Sequence, residues 1–227
     1  MSPTAAEYLA QNRGGGLFTE TVSQRIGAQL SVVAYRLGLA PTMLTLANLV
    51  LGLGASALVI AFAHDLPPII GLVALLLWHL AYALDCADGQ LARVTGRTSP
   101  AGKRIDILCD VALQIALVAS VVAVASAYTP NMPSWLGALF AGTWMVNLVT
   151  SVLQQGSAAH SLVTSGSPVV RVIKLVRDYG AVVTVVGLVL TFAPQWTVWL
   201  LVAFTIVNGA FLLASIAATA RASLSRS

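Results

Sequence analysis

The sequence predicts an all-α integral membrane protein, with six transmembrane helices preceded by an N-terminal amphipathic surface helix. Three observations carry that expectation. Of 227 residues, 58% are hydrophobic and 9% charged, and the mean hydropathy is +0.87. A soluble domain carries about 25% charged residues. Several apolar runs approach or exceed the roughly 20 residues that span a bilayer. All twelve Lys and Arg fall in four places: the N-terminal segment, loop 93–104, loop 171–177 and the C-terminal tail.

Residues 1–41 read as an N-terminal segment outside the bilayer. Within it, Thr21–Leu39 places Val22, Ile26, Leu30, Val33 and Leu37 at helical spacing. That pattern suits a helix lying on the membrane; a helix packed only against protein is the other reading. The stretch Gly38–Pro41 (GLAP) ends it. Spans are expected at about Thr42–Ala63, Pro68–Leu84, Ile107–Tyr128, Trp135–Leu153, Ala181–Phe192 and Val198–Ala217. The fifth is short in strictly apolar terms. The second and third are expected to continue as helix beyond the hydrocarbon, through Asp85–Val94 and back from Arg104. Residues 42–217 thus form one transmembrane domain, and residues 218–227 a tail.

Charge sets the expected orientation. The loops HDLP, TPNMPS and APQW carry no Lys or Arg. Both termini and the basic loops therefore share one side, which the positive-inside rule makes the cytoplasm. The protein is expected in the cell (inner) membrane. No cleaved signal peptide is expected, because Glu7, Arg13, Glu20, Arg25 and Arg36 interrupt the first forty residues. Cys86 and Cys109 cannot define a disulfide framework. The net charge of +4 comes without a basic run, which argues for a membrane surface and against nucleic acid as partner.

Against this apolar background stand four aspartates. Asp85 and Asp88 are three apart, Asp106 and Asp110 four apart, so each pair lies on one helix face. The short connection makes the two helices antiparallel neighbours, and the four carboxylates face each other at the cytoplasmic edge. One Asp near the bilayer centre costs roughly 2.5–3.5 kcal/mol, and a cluster also repels itself. Water and protonation relieve this; bound cations relieve it while keeping the acids ionised. Carboxylate-only ligation suits Mg²⁺ or Mn²⁺ better than zinc. Two such ions about 3.5–4 Å apart would clamp a phosphoryl group. Gly89 and Ala92 leave backbone open to a ligand, Arg93 offers a fork of donors for phosphate, and Gly102 stands where the loop re-enters helix.

These residues read Asp85-x2-Asp88-Gly89-x2-Ala92-Arg93-x8-Gly102-x3-Asp106-x3-Asp110. The run resembles, at every fixed position, the signature of the CDP-alcohol phosphotransferase (CDP-alcohol phosphatidyltransferase) family. Ala40, Pro41, Leu44 and Thr45 are also similar to the family's P-N-x-L-T pattern, differing at Thr42. The resemblance implies transfer of a phosphatidyl group from CDP-diacylglycerol, or of a phospho-alcohol from a CDP-alcohol, onto a hydroxyl acceptor, with release of CMP. It implies that Asp85, Asp88, Asp106 and Asp110 serve the metals, with Asp110 also the general base. It assigns Gly89, Ala92, Arg93, Asp88, Gly102 and Thr45 to the CDP moiety. It further implies a homodimer, which Gly52-x3-Ser56 permits.

Arg171, Lys174 and Arg177 recur at intervals of three before the fifth span. They read either as positive-inside anchors or as a pocket for an acceptor phosphate. On the second reading the acceptor is a phosphorylated polyol such as inositol phosphate or glycerol phosphate. Serine, inositol or phosphatidylglycerol would not need them. Two rivals remain outside the family. A prenyltransferase would be expected to have more spans. A divalent-cation carrier would want acids near the midplane on a path reaching both faces. Cys86, Cys109 and His79 read as packed residues, and Tyr82 as an interface tyrosine. Asn48, Asn147 and Asn208 read as interhelical hydrogen-bonding groups, with Asn48 also able to line a nucleotide site.

Overall fold

The structure, a computed structural model, describes residues 2–12, 16–154 and 178–224. Those residues are helical throughout, with no strand among them. In chain order the helices are α1 (Ala5–Ala10), a π-helical turn (Thr19–Ser23) running into α2 (Gln24–Arg36), α3 (Pro41–Ala61), α4 (Pro68–Val94), α5 (Pro100–Tyr128), α6 (Ser134–Gln154), α7 (Tyr179–Phe192) and, after a 3₁₀ turn (Pro194–Trp196), α8 (Thr197–Leu224). Pro41, Pro68 and Pro100 each open a helix at its first position, where the missing N–H costs nothing. Ser99 caps α5 by accepting a hydrogen bond from the Gly102 N–H at 2.9 Å. α4 does run on through the aspartates to Val94, and α5 begins at Pro100, four residues before Arg104.

Among the described residues, four helices are long and apolar enough to cross a membrane: Pro41–Ala61, Pro68–Val94, Pro100–Tyr128 and Pro194–Arg221. Two shorter apolar helices, Ser134–Val146 and Tyr179–Phe192, accompany them. The main core gathers residues from all of these. Val59 of α3, Trp78 of α4, Leu117 and Val121 of α5, Phe140 of α6, Val186 of α7 and Leu201 of α8 are buried together. Many large apolar side chains point outward instead, among them Val50, Ile69, Leu76, Leu108, Ile206 and Leu213. A greasy exterior around a packed interior is the arrangement of a protein solvated by lipid.

α2 reverses the usual sense of an amphipathic helix. Apart from Gln24 at its start, its buried residues are small: Gly27, Ala28, Ser31 and Ala34. Val22, Ile26, Val33 and Leu37 of the predicted stripe are exposed. Only Leu30 of that stripe turns partly toward the protein. Gly27 explains the close approach to α4. A Cβ there would stand 2.9 Å from the Cys86 Cβ and 3.0 Å from the Ala83 carbonyl oxygen. Gly27→Val should therefore destabilise the fold by about 1–3 kcal/mol through overpacking, read as a lower unfolding temperature in detergent. An unchanged temperature would mean that α2 does not sit this tightly.

Gly52 and Ser56 are used within the chain. A Cβ on Gly52 would stand 2.4 Å from a methyl of Leu113 on α5, and Ser56 Oγ accepts from Trp78 Nε1 of α4 at 3.1 Å. This pair packs α3 against its own neighbours.

Candidate metal and nucleotide site

α4 and α5 are not the directly packed neighbours that their short connection predicts. Each packs on α3, and they present their aspartates toward each other across a gap wide enough for a ligand, at the end of the bundle covered by α1 and α2. One carboxylate oxygen from each of Asp85, Asp88 and Asp106 lies within 4.8 Å of the other two. Opposite oxygens around an ion bound at about 2.1 Å stand about 4.2 Å apart, so small side-chain rotations bring all three onto one cation. All three donors are oxygens, which suits a hard divalent ion. Asp110, one turn beyond Asp106, stands outside this triad.

Two triad carboxylates are held from α3. Thr45 Oγ1 donates to Asp88 Oδ2 at 2.5 Å, and Asn48 Nδ2 donates to Asp85 Oδ1 at 3.3 Å. Each bond occupies one oxygen and leaves the other for a metal. Groups of this kind, one step behind the ligands, fix ligand orientation. Thr45, four residues after Pro41, and Asn48, one turn further on, share the face of α3 that meets α4.

The triad stands between two cavities. One, of about 190 Å³, is lined by Asp85, Asp88 and Asp106 together with Gly89, Arg93, Cys86, Asn12 and Gln24. The other, of about 300 Å³, has Asp85 and Asp110 in its lining, with Asn48, Gln114 and an aromatic wall of Trp78, Tyr82, Trp144, Tyr179 and Phe204. Asp85 alone among the acids lines both. In the smaller cavity, a Cβ on Gly89 would stand 2.9 Å from Arg93 Nη1. The bare glycine thus lets the guanidinium lie across the helix one turn back, beside the carboxylates. Ala92, Gly102 and Thr45 line neither cavity. Ala92 is half-buried on α4, Gly102 lies in the first turn of α5, and Thr45 stands behind Asp88. Arg171, Lys174 and Arg177 lie outside the described residues, as does the Asn147 side chain.

Several residues that shape the site carry no motif. Asp178 is buried and accepts from the Thr19 N–H at 3.0 Å and from Thr19 Oγ1 at 2.5 Å, while capping α7 through the Gly180 N–H at 3.1 Å. Thr19 Oγ1 also meets the Tyr82 hydroxyl at 3.0 Å, and the Tyr82 ring stands edge-on to Tyr179 at 4.9 Å. The N-terminal segment thereby braces the aromatic wall. His79 is a packed residue, with Nε2 3.0 Å from Thr184 Oγ1 and its ring 5.7 Å from that of Phe18. Both cysteines are free thiols; Cys109 is buried, and Cys86 edges the smaller cavity. A lone Asp before a helix, or a Gln in an apolar run, is too common a feature for sequence to single out.

Fold and site together define a helical membrane protein with a triad of carboxylates, spaced as a divalent metal requires, at one end of its bundle. The family model for CDP-alcohol phosphatidyltransferases matches residues 38–207, and the chain belongs to that family. It is an enzyme that transfers a phosphatidyl group from a CDP-alcohol to an acceptor in a membrane. A search of curated proteins finds no match.

Proposed function

We propose that this enzyme takes CDP-diacylglycerol as donor, joins its phosphatidyl group to a hydroxyl acceptor and releases CMP. The observation that carries the reading is the place of the triad, with Asp85 common to a polar cavity on one side and an aromatic cavity on the other. A donor diphosphate in the polar cavity and an acceptor hydroxyl in the aromatic one would meet at these carboxylates. Asp85, Asp88 and Asp106 would hold Mg²⁺ or Mn²⁺, two ions when Asp110 also contributes. The bound ions supply charge neutralisation of the diphosphate and of the departing CMP. Thr45 and Asn48 keep the carboxylates turned inward. Arg93 takes phosphate oxygens, and Gly89 lets the nucleotide approach the backbone. Asp110, at the acceptor side, accepts the hydroxyl proton as the oxygen attacks phosphorus and the bond to CMP breaks.

The acceptor we favour is a phosphorylated polyol such as inositol phosphate or glycerol phosphate, on the strength of Arg171, Lys174 and Arg177. The decisive measurement is CMP release by purified protein given CDP-diacylglycerol and a panel of inositol phosphate, glycerol phosphate, serine, inositol and phosphatidylglycerol. No CMP with any acceptor sinks the reading. Neutralising one of the three cations should raise the acceptor KM about 10- to 150-fold, as loss of one charge-assisted hydrogen bond requires. The donor KM should change little. An unmoved acceptor KM in all three alanine variants would favour a neutral or zwitterionic alcohol.

The membrane placement we propose has six spans, both termini and the basic loops in the cytoplasm, and the outward stripe of α2 on the inner leaflet. The resemblance also supports a homodimer. In a background lacking Cys86 and Cys109, cysteines placed at Ser99 and Ser167 should be labelled from the cytoplasmic side and one at Asn131 from outside. Labelling of Ser99 and Ser167 on opposite faces would overturn the six-span count.

A further inference from the structure

Asn12 reaches the smaller cavity from far away in sequence, and its placement is over-determined. Helix α1 ends just before it. A capping box opens α1, with the Thr4 N–H donating to Glu7 Oε2 at 2.6 Å. Tyr8 of α1 is fully buried, in a cluster with Ala28, Ala34, Leu44, Ala87 and Leu91. The Asn12 N–H donates to the Leu9 carbonyl at 3.2 Å. α1 is thus docked on α2 and α4, and the asparagine that follows it is carried to the cavity edge.

A buried amide then sets which end of Asn12 faces the cavity. Gln90 follows the metal ligand Asp88 by two residues and is fully buried. Its Nε2 lies 3.0 Å from the backbone carbonyl oxygen of Gln24 and 2.9 Å from Asn12 Oδ1. The carbonyl can only accept, so the Gln90 amide nitrogen must face it. Ser31 Oγ lies 3.2 Å from Gln90 Oε1 but 3.0 Å from the Gly27 and Ala87 carbonyl oxygens, so the orientation rests on the Gln24 carbonyl. Asn12 must then offer its oxygen to Gln90, and its own NH₂ group is left to donate elsewhere.

We propose that Asn12 is a specificity residue for the nucleotide base, donating from Nδ2 to the acceptor edge of cytosine. This rests on the reading of the smaller cavity as the donor-nucleotide site. Carboxylates and Arg93 line the same cavity and are the partners a metal-bound diphosphate requires. A neutral amide is a poorer phosphate partner and a good base-edge partner. Cytosine offers two acceptors on that edge, of which O2 is common to uracil, so the discriminating contact is the one to N3. Uracil carries a hydrogen on N3 and would set donor against donor. The chain from the Gln24 carbonyl through Gln90 to Asn12 is therefore a fixed reader that admits cytidine and disfavours uridine.

The test measures binding of CMP, UMP and inorganic pyrophosphate to the purified full-length protein with Mg²⁺, by calorimetry. Wild-type protein should prefer CMP to UMP. Asn12→Ala should lower that preference by about 5- to 150-fold, the range for leaving a buried partner unsatisfied. Asn12→Asp retains an acceptor for Gln90 but presents an acceptor to the base, and should shift the preference toward UMP. Pyrophosphate binding, which needs only the metal site and Arg93, should stay at the wild-type level in Asn12→Ala, while the carboxylate of Asn12→Asp weakens every anion in the cavity alike and leaves the CMP/UMP ratio as its readout. If Asn12→Asp does not fold, Asn12→Ala decides alone. A wild-type CMP/UMP ratio retained in the variants overturns the proposal while leaving the transferase reading intact. Wild-type protein that binds no CMP overturns both.

Discussion

Asp88→Asn should abolish all but a small fraction of CMP release, a loss of more than about a hundredfold, with the protein still folded. The comparison that sets this scale is the 10- to 100-fold loss typical of removing a group one step behind a metal ligand. Asp88 is in the triad itself, and it is the most deeply buried of the three, at 6% exposure. Exchanging one carboxylate oxygen for an amide removes a negative charge where the cation's charge must be matched. Thr45→Val supplies the graded control. It removes the hydroxyl that donates to Asp88 Oδ2 and keeps the side-chain volume. Its activity should fall about 10- to 100-fold and recover as Mg²⁺ is raised, because the carboxylate remains but is less well held. Chelation should silence the wild type, and added Mg²⁺ or Mn²⁺ should restore it. Full activity in chelator, or an Asp88→Asn variant that works normally, would remove the metal from the mechanism.

Asp110→Asn should lower kcat by about 10²- to 10⁴-fold, the usual contribution of a positioned general base. Both KM values should change little, because the proton moves only in the transition state. The location of Asp110 supports this division of labour. It lines the aromatic cavity with Asp85 and stands outside the triad of Asp85, Asp88 and Asp106. Mn²⁺ binding, followed by electron paramagnetic resonance, should therefore survive in Asp110→Asn and be lost in Asp88→Asn. Equal loss of Mn²⁺ in the two variants would make Asp110 an ordinary ligand, and an unchanged kcat would exclude it as the base.

The sequence by itself determined the class of fold, the four aspartates and their pairing on two helix faces. Those features are local. Apolar runs are counted along the chain, and intervals of three and four fix a helix face. The short loop 95–99 predicts that α4 and α5 are packed neighbours, but each packs on α3 instead. The tertiary structure decided what periodicity cannot, namely the partner each face meets. The stripe of Val22, Ile26, Val33 and Leu37 was legible, but that it turns away from the protein follows from Gly27, Ala28, Ser31 and Ala34 allowing α2 its close approach to α4. Gly52 and Ser56 permitted a dimer contact on paper and are used by Leu113 and Trp78 of the same chain. Asp110 shares a helix face with Asp106, yet the two line different cavities, because α5, packed on α3, carries them a full turn apart along the bundle. Thr45 and Asn48 behind the ligands, Asp178 bracing the aromatic wall, and Asn12 meeting Gln90 across 78 positions are long-range polar contacts. A buried polar group must find a partner, but which one it finds is set by how the helices pack, and no local pattern of residues records that.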